Sequence, residues 1–282
     1  MSPAVTAALA VLSLCPLFAH CLVDNVNVIW YEKDSREPQY YYRSNQDVPD
    51  GLKATTKIIV NQRIARLQQY SYEGFDNLTE LRIDFCKVKE IEPGAFDLLK
   101  PLETLTLCGN NIAEIDKGVF NNVQVQHLNL SKNYITYIHP QAFDNITSLQ
   151  NIVLDYNQLK CWSSAWFRNT PLLLNLSFRH NLFEELPDNA FTNFRTEIKT
   201  NSSQLSLDFG YNRIHLIHPR AFKCVDKLDV LNLEYNKLLM LKVETFRNVT
   251  RIGHLILKGN PLTCFPKELL LVILAKVQYP AI

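Results

Sequence analysis

Apolar and polar residues along this chain repeat at a nearly constant interval, and an asparagine marks each repeat. Positions three and five before each asparagine are apolar, as in Leu128-Asn129-Leu130 before Asn133, and so are positions two and five after it. Such alternation is typical of a short strand with one buried face. The pattern therefore predicts stacked turns that each contain a strand. The marker residues are Asn110, Asn133, Asn157, Asn181, Asn212, Asn236 and Asn260.

Two further features keep the same register. Cys86 precedes Asn110 by the interval that separates Asn133 from Asn157, and it takes the place of the marker in an earlier repeat. One interval further back, Gln62 begins the series with an imperfect repeat, in which Lys57 stands where the pattern has an apolar residue. The register of that first repeat is kept by Ile59, Ile64, Leu67 and Tyr72. An aromatic residue lies ten positions after Cys86 and after every marker asparagine except Asn260, in a row of Phe96, Phe120, Phe143, Phe167, Phe191, Phe222 and Phe246.

Around Cys86, the chain matches the pattern L-x-x-L-x-L-x-x-[N/C]-x-L. The matching residues are Leu78, Leu81, Ile83, Val88 and Ile91. On this pattern the chain resembles the extracellular leucine-rich repeat family. The resemblance implies an α/β fold over residues 54–265: a right-handed, horseshoe-shaped solenoid of about nine turns with a parallel sheet on its concave side. Asparagine suits the marker position because its amide can both donate and accept hydrogen bonds from the backbone of neighbouring turns.

The composition is that of an ordinary globular protein, with 47% apolar residues and a net charge of +1. This balance gives no electrostatic reason to expect a nucleic-acid partner. We expect no enzyme, because the sequence has no G-x-S-x-G, H-E-x-x-H or phosphate-binding motif. The pair Asp155 and His180 on adjacent turns is a weak catalytic candidate without a recognisable pocket. We also expect no cofactor, and no cysteine or histidine spacing indicates a metal site.

Residues 1–21 are interpreted as a signal peptide. They contain an apolar run, and the small residues at Ala19 and Cys21 favour cleavage before Leu22. The usual positive charge at the start is missing, so a membrane anchor is the alternative, although a span needs about 20 apolar residues. Sequons for N-glycosylation support secretion, and we expect an extracellular glycoprotein without a membrane span. The sequons are at Asn77, Asn129, Asn145, Asn175, Asn201 and Asn248.

The segments on both sides of the repeats lack the cysteine clusters that cap many secreted relatives. Residues 22–53 alternate apolar and polar side chains from Val26 to Trp30, which predicts an N-terminal β-hairpin cap on the open edge of the sheet. Residues 266–282 contain the apolar run Leu269–Ala275, too short to span a bilayer. This run predicts a C-terminal helical cap, and truncation of a longer protein is the alternative.

Cleavage before Leu22 would leave five cysteines, so at least one thiol would be unpaired within the chain. Cys86 is expected to be buried and inert in the marker position. Cys161 and Cys264 share a repeat position but lie four turns, about 20 Å, apart, which is beyond disulfide reach. Cys108 at the sheet rim and Cys264 near the end of the solenoid are the candidates for an intermolecular disulfide. Unpaired thiols that act only as small apolar side chains are the alternative.

A partner is expected on the concave strands or on the rim beside them, where outward side chains vary over a fixed frame. Position −1, directly before the marker, carries rings in four successive repeats, at Tyr156, His180, Tyr211 and Tyr235. Stacked amphipathic rings are typical of binding surfaces, and shielding of the sheet edge is the alternative. Three outward residues of the concave columns complete the candidate site, namely Arg179, Asp208 and Glu234.

Glycosylation and an insertion affect the expected ligand position. A glycan on Asn129 or Asn175 would cover the central concave turns, which favours the later turns or the rim. The interval from Asn181 to Asn212 is longer than the others and adds a polar loop at residues 197–203, with its own sequon. Insertions in solenoids map to loops that often belong to binding faces, although a tolerated glycosylated loop explains it equally well.

These features favour a secreted recognition protein that binds protein or glycan partners. The strand segment at Val26–Trp30, the missing cysteine cap and the odd cysteines also resemble the short insect leucine-rich immune proteins. This narrower resemblance implies a role in innate immunity and leaves open a disulfide-linked homodimer or heterodimer. The alternatives are an adhesive or structural matrix protein with leucine-rich repeats and an inhibitor of a secreted enzyme.

Overall fold

The computed structural model describes most of the repeat region and two segments before it. The predictions for residues 1–21, 197–203 and 266–282 and for Cys264 lie outside the described residues. Only the backbone is described for residues 28–32, 39–41, 55 and 56. The described residues are 28–32, 39–41, 55–60, 63–69, 72, 75–100, 102–120, 122–194 and 205–263.

Short strands make up nearly all of the regular structure. In chain order they are β1 Val28–Glu32, β2 Gln39–Tyr41, β3 Thr55–Val60, β4 Arg66–Leu67, β5 Glu80–Arg82, β6 Glu90–Ile91, β7 Thr104–Thr106, β8 Glu114–Ile115, β9 His127–Asn129, β10 Tyr137–Ile138, β11 Asn151–Val153, β12 Asn175–Ser177, β13 Glu185–Leu186, β14 Leu205–Asp208, β15 Leu216–Ile217, β16 Lys227–Asn232 and β17 Arg251–Ile256.

The concave sheet confirms the solenoid that the repeat predicts. Its order is β17-β16-β14-β12-β11-β9-β7-β5-β3-β1-β2. From β3 to β17 the nine strands pair in parallel, and they bound eight complete turns, one fewer than the sequence suggested. At the other edge, β1 pairs antiparallel with both β3 and β2. The domain boundaries drawn from the sequence stay predictions.

Several turns contain a second, two-residue strand, which comes after the concave strand in the chain. Three parallel pairs form there, β4 with β6, β8 with β10 and β13 with β15. The far side of the core holds turns and one 3-10 helix, Val243–Phe246, with no α-helix in the ranges that the structure describes. In those same ranges, no helix has the length and apolar character that crossing a membrane requires.

The first repeat is shifted by one residue from the register that the sequence suggested. Ile58 and Val60 are buried at 1% and 4% exposure, whereas Ile59 is only half-buried. Ile58 pairs with Leu81, and Lys57 reaches outward to Glu80 with a 3.1 Å ion pair. A one-residue slip moves every side chain of a strand to the other face. Lys57 therefore does not occupy an apolar position, because that position belongs to Ile58.

The marker asparagines form a hydrogen-bonded ladder that is buried at every marker except the half-buried Asn260. We call the marker position the ladder position. In a typical turn, Asn157 Oδ1 accepts from the backbone N–H of Ile135 at 3.0 Å. Its Nδ2 donates to the carbonyls of Leu130 and Leu154, each at 3.0 Å. Each asparagine therefore pairs buried backbone groups of its own turn and of the preceding turn, as the amide chemistry predicts.

Aromatic rings fill the core on the side away from the strands. Tyr72 and the seven phenylalanines at position +10 form the inner ring row, whose stacked neighbours have centroids 5.1–6.3 Å apart. The row is interrupted where Trp162 enters the core and contacts Phe167 at 6.1 Å and Phe191 at 5.0 Å. The indole N–H of Trp162 donates to the Ala190 carbonyl at 2.8 Å, so this large side chain is buried with its polar atom paired.

Candidate functional site

Position −1 of eight successive repeats has a left-handed backbone conformation. Non-glycine residues rarely adopt it, so the recurrence reflects a constraint of the turn. The N–H of Tyr156 donates to the Arg179 carbonyl at 2.8 Å, and the N–H of Tyr211 donates to the Glu234 carbonyl at 2.8 Å. These bonds fix each rim residue against the next turn. The φ angles are 57° at Phe85, 70° at Gly109, 55° at Lys132, 55° at Tyr156, 53° at His180, 56° at Tyr211, 50° at Tyr235 and 74° at Gly259.

The four rings predicted on the rim form one continuous stack, which we call the outer ring row. Tyr156 and His180 have centroids 4.2 Å apart and planes 11° apart. His180 and Tyr211 follow at 4.4 Å, and Tyr211 and Tyr235 at 4.6 Å. The row continues across the longest repeat, which ends at Asn212, without a gap. Tyr156 and Tyr235 at its ends are 50% and 40% exposed, so the ring edges and hydroxyls line the rim.

A glycine bounds the outer ring row at one end. A Cβ on Gly259 would lie 2.5 Å from the ring of Tyr235, so the glycine gives this ring its space. A similar pair lies in the first turns, where a Cβ on Gly109 would lie 2.3 Å from the ring of Phe85. These approaches are too close for any side chain, and φ is positive at both glycines.

A charged network joins three turns beside the outer ring row. Arg179 donates to Asp208 Oδ2 at 3.0 Å in the next turn and to Glu234 Oε1 at 2.7 Å in the turn after that. Asn232 braces both carboxylates, at 3.2 Å from Asp208 and 3.5 Å from Glu234. The Arg179 guanidinium also lies 5.0 Å from the centroid of the Tyr211 ring, a cation–π distance. The network therefore links the outward concave residues to the rim.

Gly210 makes the long reach of Arg179 possible. It occupies the same column as Arg179 and Glu234, in the turn between them. A Cβ at Gly210 would lie 3.1 Å from Arg179 Nη1 and 3.2 Å from Asp208 Oδ1. A Cβ there would therefore crowd the guanidinium and the carboxylates, which would have to shift by a few tenths of an ångström. The glycine is thus part of the network although it has no side chain.

The contacts around the network shift the pKa values of Arg179, Glu234 and the neighbouring Asp155. Burial disfavours the charged form of Arg179, but hydrogen bonds and the charges of Glu234 and Asp208 raise its pKa above the ordinary value. The hydrogen bond from Arg179 lowers the pKa of Glu234, against a smaller effect of burial. Burial raises the pKa of Asp155, although the Ser177 hydroxyl and the Arg179 N–H donate to it. At neutral pH the bridge between Arg179 and Glu234 is therefore a charged pair.

The concave face beside this network carries a shallow depression of about 320 Å³. Small side chains such as Val153, Ser177 and Val230 line it, with Asp208 and Asn175 among its borders. The Asn175 side chain is exposed and donates to Asn151 Oδ1. A glycan on Asn175 would begin in the depression, which would direct a ligand toward the rim.

The other sequons occupy different parts of the solenoid. Asn77, Asn145 and Asn248 are exposed, and all three lie in the segment that leads from the core side back to a concave strand. Asn129 on the concave face is half-buried, and its Oδ1 accepts from the Ser131 N–H at 2.9 Å. Asn201 lies outside the described residues. Glycosylation stays a prediction at each of these positions.

The described cysteines differ in exposure. Cys86 is buried at 1% exposure and donates its thiol to the Val60 carbonyl at 3.3 Å, so it fills the ladder position as expected. Cys108 is a half-buried thiol that accepts a hydrogen bond from Ser131 Oγ at 3.3 Å. Cys161 is an exposed thiol, and Cys224 is half-buried. The intermolecular disulfide predicted for Cys108 or Cys264 stays a prediction.

The structure brings together all seven residues proposed for partner binding, since the outer ring row and the charged network share the contact between Arg179 and Tyr211. The sequence reasoning missed Gly210 and Asn232. A glycine in an outward concave column, between an arginine and a glutamate, was the available signal. The weak catalytic pair gains no support from the geometry, because Asp155 accepts from Ser177 and Arg179 while the His180 ring lies between two tyrosines.

Comparison with known sequences gives matches that agree with the repeat pattern. Residues 76–122 and 100–159 match the family described as Leucine rich repeat. Tsukushi of Mus musculus is 30% identical over 204 residues, which are 69% of this chain and 54% of that protein. Lumican of Gallus gallus is 28% identical over 223 residues, covering 78% of this chain and 61% of that protein. The chain thus spans only about half the length of Tsukushi.

Solved structures share the architecture at lower sequence identity. The Toll–Spatzle complex of Drosophila matches with a TM-score of 0.68 and 20% identity, over 76% of this chain and 28% of that chain. The leucine-rich repeat domain of APL1B matches with a TM-score of 0.58 and 20% identity, over 75% of this chain and 58% of that chain. At this identity the likeness establishes the fold alone.

Proposed function

We propose that this chain, which belongs to the leucine-rich repeat family, is a secreted recognition protein that binds a protein ligand at the outer ring row and the charged network. The observation that carries the proposal is the uninterrupted stack from Tyr156 to Tyr235, with Arg179 held beside it by two carboxylates. Tyrosine and arginine, with tryptophan, are enriched among the few residues that carry most of the binding energy in protein interfaces. Here both are already ordered before a ligand arrives, which reduces the entropy cost of binding.

The ring geometry favours a protein ligand over a glycan. Sugar rings pack on open aromatic faces, and the faces of His180 and Tyr211 are covered by their neighbours at 4.2–4.6 Å. The row instead presents ring edges and tyrosine hydroxyls to solvent. These groups pair well with backbone amides and with the polar side chains of a peptide or protein surface.

The role in innate immunity is the finer part of the proposal. It rests on the resemblance of the cysteine-poor N-terminal segment and odd cysteines to insect leucine-rich immune proteins. The Toll–Spatzle structure is described as a hub in development and innate immunity, a statement about that complex. The alternative of a matrix or adhesive protein would place the ligand on an assembled matrix instead of a soluble protein.

Ligand capture with rim variants tests the proposal. The bait would be the chain secreted from insect cells, incubated with extracellular fluid from the organism that encodes it. We expect the wild-type chain to capture a soluble protein. The double variant Tyr211→Ala, Tyr235→Ala should recover at least about tenfold less of that protein, because two anchor rings are lost. Quantitative mass spectrometry of the captured proteins provides the measurement.

A matched control distinguishes loss of the rim rings from a general loss of exposed apolar surface. Leu98→Ala and Leu172→Ala truncate side chains that are 40% and 44% exposed outside the rim, and they should leave capture unchanged. Circular dichroism would establish that each variant folds. Equal capture by wild type and the double variant would refute the rim as the binding site, and capture of insoluble matrix alone would support the matrix alternative.

A further inference from the structure

A cleft of about 280 Å³ lies on the far side of the core, across from the concave sheet. It opens between two neighbouring turns, whose inner-row rings Phe222 and Phe246 stack at 5.8 Å. Charged and polar side chains make up most of its lining, namely Arg220, Lys223, Glu244, Thr245, Arg247 and Asn248. A lining of this kind favours a charged ligand over an apolar one.

Two cations of the cleft have no opposite charge beside them. Lys223 and Arg247 are exposed, and neither forms an ion pair with any residue that the structure describes. The Asn248 side chain donates to the Lys223 carbonyl at 2.9 Å, which holds the two turns together. Like charges on adjacent turns repel, and an anion between them would relieve that repulsion. Arg220 differs, since its guanidinium donates to Asp188 at 2.7 and 3.1 Å.

The cleft also contains an unpaired hydroxyl. Thr245 is 2% exposed, and its Oγ1 has no hydrogen-bond partner in the described part of the chain. A buried hydroxyl without a partner costs free energy, which the oxygen of a ligand would offset. By contrast, the similarly buried Thr170 donates its hydroxyl to the Phe167 carbonyl at 2.9 Å. Two unpaired cations and an unused hydroxyl together form the donor set of an oxyanion site.

The charge balance of the cleft favours a singly charged oxyanion. Glu244 is exposed on its border and has no ion-pair partner among the described residues. Its carboxylate opposes the charges of Lys223 and Arg247, so these three groups leave one net positive charge. A sulfate ester carries a single negative charge at neutral pH, whereas a phosphate ester carries about −1.5 to −2. The cleft is therefore better matched to a sulfate ester.

The surroundings of the cleft favour a polysaccharide as the carrier of the sulfate. Lys223 and Arg247 each directly follow an inner-row phenylalanine, and exposed Arg168 occupies the same position two turns before Lys223. A column of cations across successive turns suits a linear chain with repeated anionic groups. A protein partner would need apolar anchors, and no exposed large apolar side chain lines the cleft.

We propose that this cleft binds a sulfate ester group of a sulfated polysaccharide, with Lys223 and Arg247 as cationic partners and Thr245 as a hydroxyl donor. The outer ring row lies on the concave rim, across the core from the cleft, so a protein and a polysaccharide can be bound together. Neither site depends on the other. A glycan on Asn248 would compete for the cleft, because Asn248 lines it.

Charge reversal tests the cleft, with a fluorescent heparin hexasaccharide as the probe and fluorescence anisotropy as the measurement. Every chain carries Asn248→Gln, which removes the sequon beside the cleft. We expect Lys223→Glu or Arg247→Glu to raise the dissociation constant about tenfold, because an attractive contact becomes repulsive. Lys237→Glu is the matched control, since it makes the same charge change at an exposed position of the same repeat as Arg247, outside the cleft. It should bind as the parent chain does.

The same measurement identifies the chemistry of the ligand. A chemically desulfated hexasaccharide, which keeps its carboxylates, should bind at least about tenfold more weakly. No binding of the sulfated probe, or equal binding of the desulfated probe, would overturn the proposal. An equal loss in Lys237→Glu would show that net charge alone attracts the probe, and tighter binding of a phosphoserine peptide would assign the cleft to a modified protein. Either result would also overturn it.

A hydroxyl deletion separates the proposed contact from a structural role. Thr245→Val keeps the shape of the side chain, so the urea midpoint of unfolding should stay the same or rise, because no hydrogen bond is lost. Hexasaccharide binding should weaken about threefold or more. Thr170→Val is the matched control: it loses the bond to Phe167, so its urea midpoint should fall while binding is kept. Unchanged binding by Thr245→Val would remove the hydroxyl from the site and refute the assignment of the sulfate to this cleft.

Discussion

The inner and outer ring rows repeat once per turn, yet they have different spacings. Neighbouring stacked rings are 5.1–6.3 Å apart in the inner row and 4.2–4.6 Å apart in the outer row. The outer row lies at the rim of the concave sheet, where parallel strands are spaced by about 4.8 Å. The inner row lies across the core from those strands. The wider inner spacing therefore means that the turns fan apart on the convex side, as a curved solenoid requires.

Both rows continue across the longest repeat, and only the inner row has a break, one turn earlier. The outer row passes from His180 to Tyr211 at 4.4 Å although the longest repeat of the series lies between them. The inner row is also continuous there, since Phe191 and Phe222 stack at 5.1 Å, and it breaks one turn earlier, where Trp162 lies between Phe167 and Phe191. Strand pairing and the asparagine ladder hold the concave frame through the longest repeat. The insertion therefore interrupts neither ring row, and the break at Trp162 lies in a repeat of ordinary length.

The largest expected effect comes from removing the side chain of Trp162, which fills the gap in the inner ring row. Trp162→Ala should lower the free energy of unfolding by about 3–5 kcal/mol, the usual cost of deleting a large buried ring. Trp162 is 7% exposed and contacts Trp166, Phe178 and Phe209 at 5.4–5.5 Å, so little can collapse into the space. Urea unfolding followed by circular dichroism measures the change. A loss below about 1 kcal/mol would mean that the inner row closes without the indole.

An intermediate loss of stability is expected when an asparagine of the ladder is replaced, because the ladder holds neighbouring turns together. Asn157→Leu should cost about 2–3 kcal/mol, because the Ile135 N–H and the carbonyls of Leu130 and Leu154 lose their partner in a buried corner. Asn157→Cys should cost less, since Cys86 fills this position and donates its thiol to backbone carbonyls at 3.2 and 3.3 Å. Urea unfolding of the two variants provides the comparison. Equal losses would show that the polar contact of cysteine contributes nothing at a ladder position.

Much of the frame could be predicted from the sequence because the repeat fixes where each side chain lies. The ladder asparagines, the inner phenylalanines and the four rings of the outer row all follow from their distance to the marker. The first repeat shows the limit of this reasoning. Counting one repeat length back from Leu81 placed Lys57 inward, whereas the strand buries Ile58 and Val60 instead. Burial of the apolar face determines the register there, and the counted spacing does not.

The charged network was less predictable because it depends on side-chain reach. Arg179, Asp208 and Glu234 were placed in outward columns, but their contacts could not be read from column membership. Arg179 bonds to Glu234, 55 residues away, because Gly210 leaves the path open between them. The break at Trp162 was also missed, since a tryptophan at position +5 looks like an ordinary apolar substitution. Packing alternatives of this kind are resolved only in three dimensions.

The smallest expected effect concerns the backbone beneath the outer row. Tyr211 has a φ of 56°, and β-branched residues are disfavoured in this left-handed conformation. Tyr211→Phe should keep both ring contacts and change stability by less than about 0.5 kcal/mol. Tyr211→Val should cost about 1–2 kcal/mol, since it adds backbone strain and removes stacking.

A third variant separates backbone strain from stacking at this position. Tyr211→Ala loses the ring contacts but lacks the branched Cβ, so its stability should fall between those of the Phe and Val variants. Urea unfolding of all three gives the order. If Val and Ala are equally stable, backbone strain is absent and the ring contacts alone account for the loss. If Phe is as destabilised as Val, the tyrosine hydroxyl and not the stack holds the outer row together.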